Sequence, residues 1–345
     1  MHQVRLGRTE LMVSTVGFGG IPIQRLTEDG AVAVVRHCLD CGVNFIDTAN
    51  GYTTSEERIG KAIEGRRDGL GLVIATKSGA RTGEGVREHL ALSLERLGVE
   101  TIDLYQFHGV STLEDYRKTL AVGGPLDVVR EAQAAGKVRH IGITSHSLET
   151  ALKAVRSGHF ETIMFPFNFV ANEEAEKLIP VAKEHDVGFI AMKPLAGGML
   201  ENATIAFKYL RRFPDVIPVV GIQQTAEIDE IVSIMEGPAE MSASEKAEMA
   251  GIKEELGLRF CRRCGYCQPC PQGIAIPLVM TLQSFVKRMP LEHVLGGGVA
   301  RAMEAAKKCI QCGECEKKCP YGLPIREMIE EALTLWRTLQ SSARS

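Results

Sequence analysis

The sequence predicts an α/β fold: a (β/α)8 barrel followed by a small, mostly helical, cysteine-rich domain. Three observations predict it. Short β-branched runs alternate with amphipathic stretches from residue 40 to 235, glycine repeatedly stands where an amphipathic stretch should stop, and eight of the ten cysteines fall between Cys261 and Cys319.

The runs are Val16 to Gly19, Val43 to Asp47, Leu72 to Lys77, Thr101 to His108, Val138 to Thr144, Thr162 to Phe165, Val187 to Lys193 and Ile217 to Gly221. Each is followed by a helix pattern. Val86, Leu90, Leu94 and Leu97 recur at helical spacing before Gly98, and Leu126 and Val129 lead to Gly136. Continuous apolar strands covered by helices imply a parallel sheet. An open doubly wound sheet satisfies the same pattern. The closed barrel is preferred because the units fill one domain of about 240 residues and polar residues stand at strand ends, where barrel active sites are built.

Ahead of the first strand, Val4 to Leu6 and Met12 to Ser14 flank Gly7-Arg-Thr-Glu10, which reads as a hairpin able to close the barrel floor. After the last barrel helix, Ser242 and Glu245 have capping-box spacing at the start of a helix running to about Leu256, with Gly257 ending it. The expected organisation is a barrel over residues 1–240, a linker helix over 241–257 and a cysteine domain over 258–345.

Charge separates the two parts further. Residues 258–345 carry 13 basic and 7 acidic side chains, an excess of +6, whereas the whole chain is at −3. No broad basic field exists to hold nucleic acid or an anionic membrane. No run approaches the ~18 apolar residues of a membrane span. Met1 to Gly20 lacks the basic start and unbroken apolar stretch of a signal peptide. A cytoplasmic protein acting on a small molecule is expected.

Four polar residues lie at or just beyond strand ends: Asp47, Tyr52, Lys77 and His108. They can converge at one mouth. A lysine beside a tyrosine favours phenolate and brings the tyrosine towards use as an acid, and an aspartate can hold that lysine charged. A histidine on the neighbouring strand can hydrogen-bond and steer a substrate oxygen. Taken singly, such residues are more often structural hydrogen-bonders.

Longer blocks give the chain a recognisable pattern: Arg5-Leu-Gly-Arg-Thr with Val16-Gly-Phe-Gly-Gly, Gly42-Val-Asn-Phe-Ile-Asp-Thr-Ala with Tyr52 and Ser55-Glu-Glu, Ile102-Asp-Leu-Tyr-Gln-Phe-His, and Gly136-Lys-Val-Arg-His-Ile-Gly-Ile-Thr. Over roughly residues 1–240 the chain resembles the aldo-keto reductases, whose domain is a TIM barrel. The resemblance implies that Asp47, Tyr52, Lys77 and His108 match the family's catalytic tetrad. Tyr52 would then give a proton to an aldehyde or ketone that receives hydride from NAD(P)H, or run the reverse from an alcohol.

The resemblance also implies cofactor contacts. Gly19, Gly20 and Asp47 match the first-strand region and its neighbour, Thr144 and Ser145 stand where Ser-Asn is usual, and Asn168 follows Pro166-Phe167 where Pro-Tyr-Asn is common. Met164 replaces a frequent glutamine. Met192, next to Lys193, stands where an aromatic commonly stacks on nicotinamide. Beyond the eighth strand, Gln223, Gln224 and Glu227 offer no cation to clamp a 2'-phosphate. No strong preference for NADP is therefore expected.

The run Cys309-Ile-Gln-Cys312-Gly-Glu-Cys315-Glu-Lys-Lys-Cys319-Pro320 has bacterial ferredoxin spacing, C-x2-C-x2-C-x3-C-P. Cys261, Cys264, Cys267 and Cys270-Pro271 form a variant one residue shorter in its last gap. Two structural zinc sites are the bland alternative, but three closely spaced thiols followed by Cys-Pro, twice, fit a cubane better. The expectation is two 4Fe-4S clusters. In ferredoxin geometry the fourth ligand crosses between runs, giving one cluster on Cys261, Cys264, Cys267 and Cys319 and another on Cys309, Cys312, Cys315 and Cys270. The run resembles the ferredoxin-like dicluster domain of one aldo-keto reductase branch. Cys38 and Cys41 also show C-x2-C spacing, but they lie on an amphipathic helix with Val35 and Leu39 and read as core. Trp336, His140 and His146 read as packing or hydrogen-bonding residues.

Two functional classes follow. One is a carbonyl reductase or alcohol dehydrogenase. The other is an electron-transfer or redox-sensing protein, with a ferredoxin-type electron partner, in which the barrel only binds nicotinamide. The intact tetrad favours the enzyme.

Overall fold

Apolar side chains facing both ways force the strands of this chain into a sheet buried on both faces, and the observed sheet is a closed parallel barrel. The computed structural model describes residues 1–66 and 71–343. After an antiparallel hairpin, β1 (Gln3–Arg5) and β2 (Met12–Ser14), come the barrel strands β3 (Gly17–Gly19), β4 (Phe45–Asp47), β5 (Val73–Ser78), β6 (Ile102–Phe107), β7 (Val138–Thr144), β8 (Thr162–Pro166), β9 (Gly188–Met192) and β10 (Val216–Gly221). Each pairs in parallel with the next, and β10 returns to β3 through Val219 with Gly17, Val220 with Phe18 and Gly221 with Gly19. The eight strands read from the sequence are all present.

The intervening helices are α1 (Glu28–Asp40), α2 (Ser55–Ile63), α3 (Gly83–Leu97), α4 (Leu113–Thr119), α5 (Pro125–Ala134), α6 (Leu148–Arg156), α7 (Ala175–Glu184), α8 (Ala203–Leu210) and α9 (Thr225–Glu236). Their starts are chemically marked. Thr27, Thr82, Thr112, Ser147 and Asn202 each accept the backbone N–H of the third residue of the following helix, satisfying donors that the helix itself leaves open. Gly98 ends α3 in the left-handed conformation, as its place after Leu97 suggested.

The hairpin does reach the barrel interior. Leu6 and Val13 are buried in one cluster with Phe45, Val73, Leu104, Ile190 and Ile217, so they plug the floor. This approach needs two glycines: Gly7 sits at φ +53, and a Cβ there would fall 2.2 Å from the Gly188 nitrogen, while a Cβ on Gly188 would meet Leu6 at 2.8 Å.

By contact the chain divides into two units, Met1–Leu195 with Leu200–Met241, and Ala196–Met199 with Ser242–Ser345. The second has no strand among its described residues and contains α10 (Ala243–Gly257), α11 (Ile276–Val279), α12 (Leu282–Arg288), α13 (Leu291–Gly296), α14 (Gly298–Ala306), α15 (Glu314–Lys317) and α16 (Ile325–Ser342). Its core is built from Ile274, Ile276, Val279, Leu282, Val294, Met303, Leu323, Ile325, Ile329 and Trp336, against which the cysteine runs pack. Trp336 is thus a packing residue, as read. Among the described residues no helix is long and apolar enough to cross a membrane.

Candidate active site and cysteine centre

Parallel strands bring their carboxyl ends to one rim, and this is where the four sequence-selected residues meet. Asp47 ends β4, Lys77 is the second-last residue of β5, and His108 follows β6 directly. Lys77 Nζ donates to Asp47 Oδ2 at 2.6 Å and to the Thr48 carbonyl at 2.5 Å. It lies 5.0 Å from the centre of the Tyr52 ring. The His108 ring meets Tyr52 edge-on, with centroids 5.8 Å apart. Asp47 and Lys77 are buried, whereas Tyr52 and His108 are half-buried. The charged pair therefore lies beneath, and the two rings are the members that solvent reaches.

Burial works against the Lys77 ammonium, but Asp47 and then Tyr52 outweigh it and hold its pKa above the ordinary lysine value. Burial raises the Asp47 carboxyl, opposed by the Lys77 ammonium and by the Gln106 amide. Gln106 was not singled out from the sequence. Its Nε2 donates to Asp47 Oδ1 at 2.9 Å, so the two Asp47 oxygens are held by different residues. The available signal was period-two alternation, since Gln106 on β6 stands two residues before His108, which follows that strand.

The residues matched to cofactor contacts lie around the same strand ends, and several are already engaged. Gly20 donates its N–H to the Asp47 carbonyl. Thr144 Oγ1 accepts from Gly109 N at 2.7 Å. Ser145 Oγ closes a turn with Ser147 N and O. Asn168 Oδ1 accepts from Val170 N and Ala171 N, and its Nδ2 donates to the Lys193 carbonyl. These side chains brace the βα loops, and Lys193 itself adopts φ +60. Glu227 accepts from Gln223 N at 2.6 Å and Gln224 N at 2.9 Å, so its carboxylate occupies the N-terminal end of α9. Gly19 and Met192 are the last residues of β3 and β9.

In the second unit no disulfide forms among the cysteines. Cys270, Cys309, Cys312 and Cys315 line one cavity together with Cys267, Ile274, Ile310, Ile329 and Arg326. Burial pushes the Cys267 thiol up to about 12, with Cys261 and Cys264 as the neighbouring charges that add to it. Cys319 packs on the same core. A wall of thiols, aliphatic side chains and one arginine suits a compact anionic metal–sulfur group and its thiolate ligands. Arg262, buried, closes the loop ahead of Cys264 by donating to the Gly257 and Phe260 carbonyls and lies 4.1 Å over the Tyr321 ring.

His140 bonds Glu161 at 2.7 Å, in keeping with a structural role. Cys38 is core as read, but Cys41 is not. It is half-buried at the C-terminal cap of α1, beside His37 and Asp229.

A model of the aldo/keto reductase family matches residues 15–213. The chain belongs to the aldo/keto reductase family. A model of the 4Fe-4S dicluster domain matches residues 260–324, so this family member carries an iron–sulfur domain in the same chain. It is similar to the uncharacterized oxidoreductase YqkF of Bacillus subtilis, with 29% identity over 58% of this chain and 67% of the relative. It is also similar to L-galactose dehydrogenase of Arabidopsis thaliana, at 33% over 56% and 66%. Among solved structures, an aldo/keto reductase from Klebsiella pneumoniae in complex with NADP and acetate shares the fold at TM-score 0.61 and 21% identity, covering 73% of this chain and 95% of that one.

Proposed function

We propose that this oxidoreductase interconverts a small aldehyde or ketone with its alcohol, using NAD(P)H, with Tyr52 as the proton donor. The observation that carries this is the Lys77 ammonium held by Asp47 against the Tyr52 ring, with His108 edge-on to the same ring. A reduced nicotinamide, when bound, supplies hydride to the carbonyl carbon. The chain's own residues do the rest. Lys77 stabilises the phenolate left when the Tyr52 hydroxyl gives up its proton, and Asp47 keeps Lys77 charged. His108 hydrogen-bonds the substrate oxygen and directs it to Tyr52. Gln106 fixes Asp47. The names of the relatives agree with this class: one is a sugar dehydrogenase, and one fold neighbour binds NADP. Glu227 at the α9 N-terminus favours a nicotinamide cofactor lacking a 2'-phosphate, because an anionic side chain already fills the place a phosphate would approach.

In the cysteine domain we assign one 4Fe-4S cluster to Cys261, Cys264, Cys267 and Cys319, and a second to Cys309, Cys312, Cys315 and Cys270. Hydride carries two electrons together, a 4Fe-4S cluster would carry one, and the sequence contains no recognisable flavin motif to convert between them. The clusters therefore serve as fold-stabilising or redox-sensing elements in this reading. An electron-transfer protein remains the second reading, favoured by the ferredoxin spacing itself.

Replacing Tyr52 by phenylalanine removes the hydroxyl and little volume, so carbonyl turnover should fall about 100-fold or more with nicotinamide affinity nearly unchanged. Steady-state rates and nucleotide titration under anaerobic conditions check this. Retained turnover would remove Tyr52 from the mechanism.

A further inference from the structure

We propose that His37, Cys41 and Asp229 form a surface site for a zinc ion, joining helix α1 to helix α9. His37 and Cys41 are four residues apart at the C-terminal end of α1, so they share a face. Asp229 is in the first turns of α9, 188 residues after Cys41. Cys41 Sγ stands 3.7 Å from His37 Nε2 and 3.7 Å from Asp229 Oδ1, and Nε2 stands 2.7 Å from that same oxygen. All three donor atoms lie within 4.8 Å of one another.

Tetrahedral zinc with ordinary bond lengths separates its sulfur ligand from nitrogen or oxygen ligands by about 3.6 Å, and nitrogen from oxygen by about 3.4 Å. The two sulfur edges already have that length, and the third needs to open by less than about 1 Å. A nucleophilic relay is a poorer account of the same residues. In a relay, the thiol and the carboxylate engage opposite nitrogens of the imidazole; here both approach Nε2, which has one in-plane hydrogen or lone pair to offer. The three ligand atoms face one another closely enough to share one cation.

The surroundings favour a cation as well. The negative end of the α1 dipole lies at Cys41. The His37 and Asp229 side chains are 37% and 56% exposed, so an ion enters from solvent and water completes its shell. Because α1 follows β3 and α9 follows β10, the ion would tie together the helices on either side of the strand pair that closes the barrel.

The test uses the full chain isolated anaerobically with its iron in place. Zinc chloride is titrated in, and bound zinc and iron are counted after gel filtration. The expected result is one zinc per chain with iron unchanged, one sulfur among the zinc neighbours by X-ray absorption, and a higher barrel unfolding temperature. His37→Gln, Cys41→Ser and Asp229→Asn should each weaken zinc binding about 100-fold while keeping iron content and fold. No retained zinc at micromolar concentration would overturn the site. So would zinc that survives all three substitutions or has four sulfur neighbours, since that ion would sit on the cluster cysteines.

Discussion

At the barrel mouth, Asp47 and Lys77 are 4% and 2% exposed, and each is held by side chains or backbone from neighbouring strands. In the cysteine domain, Cys312 is exposed and Cys261, Cys264, Cys270, Cys309, Cys315 and Cys319 are half-buried, carried on loops and short helices around a small core. The barrel pre-organises its charges through the sheet, so the site exists before anything binds. The cysteine domain brings Cys267, Cys270, Cys309, Cys312 and Cys315 to one cavity on loops and short helices, where metal–thiolate bonds would supply much of the hold. The difference predicts which region survives loss of its cofactor.

Stripping iron with a chelator under anaerobic, reducing conditions should be the largest effect. Metal–thiolate sites contribute on the order of 10 kcal/mol to folding, and the core around Trp336 is too small to replace that. Hydrogen exchange should show protection lost across 258–343 while the barrel strands remain protected. Unchanged protection in both regions would mean that the cysteine domain is as self-sufficient as the barrel.

Lys77→Met attacks the other side of the comparison. Asp47 keeps its Gln106 hydrogen bond but loses its buried counter-charge, and breaking such a pair costs about 3–5 kcal/mol. Removing the ammonium also withdraws the charge that favours the Tyr52 phenolate, so carbonyl reduction should fall about 100-fold and its pH profile move to the alkaline side. A profile unchanged in height and shape would break the link between Lys77 and Tyr52.

The two regions also differed in how plainly they read from the sequence. The strands were legible because apolar residues in parallel sheets run without a break, and Asp47, Lys77 and His108 were legible because they stand where each run ends. Gln106 was hidden inside Tyr-Gln-Phe, since a single polar residue within a strand reads as incidental until its partner Asp47 is located 59 residues away. Cys41 was hidden for a similar reason. Helical spacing groups it with Cys38, but Cys41 caps the end of α1 and is only half-buried, and only the fold reveals Asp229. The eight clustered cysteines needed no fold to be noticed, because three of each four stand three residues apart in one run.

The smallest expected effect concerns α10, the segment read as a linker helix. It has no buried residue, so little packing holds it, and its stability rests on local terms. Ser242 Oγ accepts from Glu245 N at 3.1 Å, and the Glu245 carboxylate accepts from Ser242 N at 2.7 Å, which is the reciprocal cap that the Ser-x-x-Glu spacing predicted. Ser242→Ala removes one of the two bonds and should cost about 1 kcal/mol. Because no residue of this helix is buried, the loss should be local: faster hydrogen exchange in the first turns of α10, with the barrel unfolding temperature unchanged. A fall in the barrel transition of several degrees would show instead that α10 is coupled to the barrel and is no mere linker.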